Sequence, residues 1–241
     1  MCFDNIFFSN IRSKFDFLII FTSKDMDYNN KPDNYYKNIR HEMLDFLPSN
    51  AKKVLDIGCA EGFFGEAIKI KNNAEVWGIE YMEEHANVAS NKLDKVYSGK
   101  CEDFLDKLPN NYFDVIYFND VLEHLVDPEY VLKVIKQKLV PKGKVISSIP
   151  NLRYYKVFME IYLEKDFKYK EEGVLDKTHL RFFTKKSIKR MYENLNFKVL
   201  SHIGINGEKP EKAYYFKFPH YIKYEEDMLH LQYATVAAKV D

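Results

Sequence analysis

A short apolar run, Val54-Leu55-Asp56-Ile57, passes without interruption into Gly58-Cys59-Ala60-Glu61-Gly62 and then into a helical segment beginning near Phe63. A buried strand that turns on glycines into a helix commits the chain to an α/β arrangement, because the helix crosses back over a sheet before the next strand joins. The pattern then repeats. Strands are predicted over residues 75–79, ending on Glu80, and over 95–97, 112–118 and 144–149, the last stopped by Pro150. Helices are predicted over 86–93 and from Pro128, with Asp127 as cap and Val131, Leu132, Ile135 and Leu139 as its apolar stripe. An earlier stripe, Tyr36, Ile39, Met43, Phe46 and Leu47, stops at Pro48. After a helix over 184–195 the alternation breaks, and strands over 197–203 and 233–240 follow with no evident helical crossover, which predicts a closing antiparallel pair. The expected fold is α/β, a doubly wound and mostly parallel sheet with ligands gathered at the carboxyl ends of its strands.

The 241 residues suffice for one such domain with additions. Lys plus Arg equals Asp plus Glu at 36 each, so no net field draws the chain to nucleic acid or to an anionic membrane. Cys2, Cys59 and Cys101 are widely spaced, without the pairing of a disulfide framework or zinc site, which fits a reducing cytoplasm. The apolar run at residues 17–21 is too short to span a bilayer and lacks the flanks of a secretory signal. Two readings of residues 1–25 stay open: an extension ahead of a start at Met26, leaving 26–241 as the domain, or a packing arm or membrane-touching segment.

The turn at residues 58–62 is where the sequence expects chemistry. A helix start presents backbone N–H groups and a positive dipole end, and glycine lets a ligand approach closely. The order G-C-A-E-G-F-F-G displaces the central glycine of the dinucleotide pattern and disfavours pyrophosphate. Glu80, closing the second strand, suits two ribose hydroxyls, and Asp56 ahead of the turn suits an amino group. Together they fit an adenosyl amino acid better than NAD.

The run from Val54 to Gly62 resembles motif I of class I S-adenosylmethionine-dependent methyltransferases, with Ala60 where that motif usually has its middle glycine. The resemblance implies a seven-stranded, Rossmann-like methyltransferase fold. It also implies that Asp56, Gly58, Cys59 and Gly62 surround the methionine portion, Glu80 the ribose, Cys101 and Glu102 the adenine, and Asn119 the sulfonium; Lys100 stands where an Asp is usual. The stretches 120–125, 148–155 and 175–184 are similar to a bacterial subfamily associated with glycosyltransferases of surface-polysaccharide synthesis, which implies a sugar or glycan hydroxyl as acceptor.

A hydroxyl loses its proton as it attacks, which calls for a general base or a metal. His179, in a polar loop with Asp176 and Arg181, is the candidate base or acceptor contact, and His124 the second. Arg181 could hold an acceptor anion or brace Asp176. Asp120, Glu123 and His124, spaced i, i+3, i+4, would share one face of a helix and hold a divalent cation such as Mg²⁺. That spacing resembles the E-x-x-E-H metal motif of ubiquinone-pathway and small-RNA O-methyltransferases, with His179 as a fourth ligand. Three rivals remain open: a quinol-like or RNA acceptor, an S-adenosylmethionine-binding module without turnover, and an NAD oxidoreductase.

Overall fold

The computed structural model describes residues 39–208 and 226–240, which fall within a compact unit, Lys31–Asp241. Residues 1–25 and residues 36–38 of the predicted stripe lie outside the described residues.

The elements run α1 (His41–Leu44), β1 (Lys53–Ile57), α2 (Phe63–Asn72), β2 (Glu75–Glu80), α3 (Glu83–Ala89), β3 (Lys95–Ser98), β4 (Phe113–Asn119), α4 (Pro128–Lys138), β5 (Leu139–Pro150), α5 (Tyr155–Glu164), α6 (Lys185–Asn194), β6 (Phe197–Gly207) and β7 (His230–Lys239). They build a seven-stranded sheet in the order β3-β2-β1-β4-β5-β7-β6. The β1, β2, β3, β4 and β5 ladders are parallel. β7 inserts antiparallel between β5 and β6, the predicted closing pair.

The two-residue period of β4 shows how the sheet divides the core. Val115 and Tyr117 face one cluster with Phe64 and Ile68 of α2, whereas Ile116 and Phe118 face the other with Leu132 and Ile135 of α4 and Tyr192 of α6. Each fully buried aliphatic or aromatic side chain there contributes about 1.5–3 kcal/mol. A third cluster, including Tyr154, Tyr155, Val174, Leu175 and Met228, holds α5 and the 173–183 loop together.

Local chemistry explains several boundaries. Asp127 accepts a hydrogen bond from Tyr130 N at 2.9 Å with Pro128 opening α4, and Thr184 and Ser187 form a reciprocal capping box at the start of α6. Two expectations fail, and one helix forms where none is predicted. Among the described residues the 36–47 stripe yields only the single turn of α1. Pro141-Lys142-Gly143, which reads as a stop, becomes a bulge inside β5: the ladder passes from Phe113↔Leu139 to Val115↔Lys144, with Lys142 at φ 62°. And α5 forms where the sequence shows only a run of aromatics.

Candidate functional site

The chain steps outward from β1 to β2 and β3 and then returns to β4 on the other side of β1, which opens a crevice at the carboxyl ends of β1 and β4. Asp56, Gly58, Glu80 and Asn119 all sit there. Asp56 is buried, and among the described residues its Oδ1 has no hydrogen-bond partner. Burial pushes its carboxyl up to about 8, with the Glu80 charge adding to the effect. Glu80 accepts from Ala60 N and Met82 N, both at 2.9 Å, so the turn and the start of α3 are tied to one carboxylate. Burial raises its pKa while these two bonds oppose the rise. With the Tyr81 backbone N–H bonded to it as well, the carboxylate still keeps lone-pair capacity for a donating hydroxyl.

The turn is held open by backbone conformation. Gly58 lies at φ +75°, and a Cβ on it would meet Val121 Cγ2 at 2.5 Å; Gly62, at φ +80°, has Ala89 Cα 3.0 Å from where a Cβ would lie. Ala60, in the place of the motif's middle glycine, is also left-handed at φ 48°. Cys59 is a different matter, because its thiol packs into the core against Gly78 and only its backbone borders the turn. Asn119, one step beyond the Ile57↔Phe118 pair, has a buried Oδ1 that lacks a hydrogen-bond partner among the described residues. Cys101 is buried on a single turn after β3, beside exposed Glu102 with Sγ 3.3 Å from its Oε2, and burial pushes its thiol up.

The segment that follows Asn119 departs from expectation. Asp120, Glu123 and His124 do not share a helical face: Asp120 is left-handed at φ 56°, and only a single 3₁₀ turn, Leu122–His124, follows. Asp120 turns instead toward β5 and β7, where Oδ1 accepts from Gln232 Nε2 at 2.6 Å and Ser148 Oγ at 3.0 Å, and Oδ2 pairs with Arg40. The cluster that does form is Glu123, His124 and His179, whose ligating atoms lie within 4.8 Å of one another.

The loop carrying His179 is anchored to that turn by its backbone, since Leu180 N and Arg181 N both donate to the Glu123 carbonyl, at 2.9 and 3.0 Å. Asp176 accepts from Thr178 N and Oγ1 and shapes the bend. The Arg181 guanidinium donates to the Val126 carbonyl at 2.6 Å, so it braces the chain after the turn. His124 Nδ1 lies 3.1 Å from the Thr178 carbonyl and His179 Nδ1 3.0 Å from the Val174 carbonyl. A carbonyl only accepts, so both Nδ1 atoms carry a proton, and in the neutral ring Nε2 then carries the lone pair. The rings meet edge to face, 4.7 Å between centroids, and His179 Nε2 stands 4.0 Å from Glu123 Oε1.

Glu123 is 1% exposed, and among the described residues neither of its oxygens accepts a hydrogen bond. Burial, with the Asp120 charge behind it, drives its pKa well above the carboxylate range. Burial and the neighbouring His179 lower His124 to about 4, which keeps it neutral at physiological pH. A buried acid without donors, facing two imidazoles fixed through Nδ1 by backbone carbonyls, fits a divalent cation held by one oxygen and two nitrogens. Beside it opens a cavity of roughly 140 Å³ that includes Pro150, Val174, Leu231 and Glu172 in its walls.

Arg40 and Gln232 were missed by sequence reasoning. A glutamine in the mostly apolar Leu231–Ala238 stretch is the available signal, since a buried amide in a strand needs a designated partner.

A family model described as a methyltransferase domain matches residues 28–202. The "Ubiquinone biosynthesis O-methyltransferase" of Vibrio atlanticus is 31% identical over 164 residues, 65% of this chain and 66% of that protein. The protein of that name from Idiomarina loihiensis is 34% identical over 108 residues, 42% of this chain and 43% of its own length. The matched part thus spans less than two thirds of the length of these curated relatives. A SAM dependent methyltransferase of Archaeoglobus fulgidus shares the fold with TM-score 0.61 at 20% identity, covering 85% of this chain and 92% of its own. One from Aquifex aeolicus gives 0.57 at 15% identity, covering 88% and 95%.

Proposed function

The chain belongs to the methyltransferase-domain family, and on that footing we propose that it transfers the methyl group of S-adenosylmethionine to a hydroxyl of a small acceptor. The observation that carries this is the contiguity of two half-sites: Asn119 closes the crevice that holds Asp56 and Glu80, and the next five residues deliver Glu123 and His124 to the cavity. Asp56 would take the donor's ammonium group and Glu80 its ribose hydroxyls. The acceptor oxygen must approach the methyl carbon in line with the departing sulfur, so a cavity opening next to Asn119 supports catalysis chiefly by positioning.

Glu123, His124 and His179 would hold a divalent cation, which supplies Lewis acidity that lowers the pKa of an acceptor hydroxyl. Two imidazoles and one carboxylate suit Mn²⁺ or Zn²⁺ better than Mg²⁺, which prefers oxygen ligands. In the absence of a metal, the lone pair on His124 Nε2 or His179 Nε2 could accept the hydroxyl proton. The ubiquinone-pathway O-methylation for which the relatives are named supports a hydroxylated ring, a quinol-like molecule, as acceptor. The resemblance of residues 148–155 and 175–184 supports a sugar in its place.

Calorimetric titration with S-adenosylhomocysteine, then labelled methyl transfer to a catechol and to a hexose panel with and without Mn²⁺, tests the proposal. Saturable binding and Mn²⁺-stimulated transfer to the catechol are expected, with transfer reduced at least ~100-fold in His124→Ala and His179→Ala while S-adenosylhomocysteine still binds. Transfer to the hexoses alone would assign the acceptor to sugars. No S-adenosylhomocysteine binding would overturn the proposal.

A further inference from the structure

Asp120 borders the same cavity as Glu123, yet its carboxylate is already engaged on both oxygens by Gln232, Ser148 and Arg40. The restraint is built in depth. Arg40 donates through Nε to Glu42 at 2.7 Å and through Nη2 to Gln232 Oε1 at 3.1 Å, and Asn206 Nδ2 donates to that same oxygen at 2.7 Å. The left-handed Asp120 backbone, whose N–H donates to the Ser148 carbonyl at 3.1 Å, directs the side chain toward β5 and β7. Arg40 is largely buried, with 13% of its side chain exposed, so the pair is shielded from solvent and salt.

We propose that Arg40 withholds Asp120 from a cation held by Glu123, His124 and His179, and so keeps coordination positions on that ion available to the acceptor's oxygens. This rests on the cation reading given above. A three-ligand set leaves half of an octahedral shell open. A second carboxylate entering that shell would occupy one open position and tighten the ion by its charge. The Arg40 guanidinium prevents both, by pairing with Asp120 and by cancelling its charge at the cavity wall. Arg40 is therefore a positioning residue that sets how many sites the ion offers, and it acts through Asp120.

The test is Mn²⁺ titration of the full chain by calorimetry, together with water-proton relaxation to count waters on the bound ion. Arg40→Met is expected to bind Mn²⁺ more tightly, on the order of tenfold, as an uncompensated carboxylate near the ion requires, and with about one water fewer. Arg40→Met/Asp120→Asn should return both quantities to wild type, and Arg40→Lys should stay near wild type. Asp120→Asn alone leaves the Arg40 charge uncompensated and should weaken Mn²⁺ binding by up to about tenfold with the number of bound waters unchanged, since Asp120 is not a ligand; this water count decides the matter if Arg40→Met does not fold. Unchanged or weaker Mn²⁺ binding in Arg40→Met, or an additional bound water in Asp120→Asn, overturns this inference while leaving the cation reading intact. No Mn²⁺ binding by the wild type removes both.

Discussion

Asp56 is a carboxyl group buried at the middle of the sheet, and its protonation sets a pH dependence that can be worked out. An unfolded Asp titrates near ~3.9, whereas burial moves the folded one to about 8. Between those values the folded state keeps a proton that the unfolded state releases, so stability falls as pH rises through the window and levels off above it. Glu80, also raised, adds a slope of the same sign. A ligand bearing an ammonium group selects the ionised acid, so S-adenosylhomocysteine affinity should increase from pH 6 to pH 8. Asp56→Asn should flatten both the stability and the binding profile, and calorimetry across that range checks it; a flat wild-type binding profile would remove Asp56 as the ammonium partner. Ala60 offers a second test on the same turn. At φ 48° its Cβ is strained, a cost of ~1–2 kcal/mol that glycine escapes, less the entropy glycine loses on folding. Ala60→Gly should therefore stabilise the protein by about 0.5–1 kcal/mol in a denaturant titration, with the Ala60 N–H to Glu80 bond retained.

Among the elements, α6 depends most visibly on its cap. Thr184 and Ser187 satisfy each other's backbone donors, and the helix they start delivers buried Tyr192, whose hydroxyl donates to Ser147 at 2.8 Å. Thr184→Ala should lower unfolding free energy by about 1 kcal/mol, read as a shift in denaturant midpoint at unchanged slope. Caps of this kind, with regular apolar spacing, are why α4 and α6 were legible in the sequence, as were β1, α2 and β2 from the strand-turn-helix pattern. Where elements were misjudged, a long-range partner had overruled a local signal. Pro141-Lys142-Gly143 looks like a stop, but β4 pairs with Leu139 before it and with Lys144 after it, and so carries the ladder past it as a bulge. The i, i+3, i+4 spacing of Asp120, Glu123 and His124 looks like a helix face, but Asp120 finds its partners 80 and 112 residues away, at Arg40 and Gln232. Of the candidate site, Glu123 and His124 could be named from residue type and His179 joined to them from the resemblance to the metal motif; the diversion of Asp120 could not be read, nor could the contact that brings the His179 loop in, where the Glu123 carbonyl receives Leu180 and Arg181.

At the scale of the whole molecule the two half-sites are joined where Val121 packs over Gly58. The glycine turn belongs to β1 and α2, Glu123 and His124 to the segment after β4, and the absence of a side chain at Gly58 lets the second lie against the first. Gly58→Ala would put a methyl group 2.5 Å from Val121 Cγ2 and would also strain a backbone at φ +75°. The turn and the 120–124 segment would have to separate. A displacement of that kind misplaces Glu123 and His124 relative to His179 as well as distorting the turn, so affinity for S-adenosylhomocysteine and for Mn²⁺ should fall together, each by on the order of tenfold or more. Gly62→Ala makes the informative contrast, because its new methyl would meet Ala89 of α3 on the far side of the turn. That variant should weaken S-adenosylhomocysteine binding and lower stability while leaving Mn²⁺ affinity within about threefold of wild type. Paired titrations of the two variants decide between one coupled site and two neighbouring ones. If Gly58→Ala loses the nucleoside ligand and keeps Mn²⁺ at full affinity, the cation cluster is positioned by the 173–183 loop alone, and the Gly58–Val121 contact plays no part in aligning donor and acceptor.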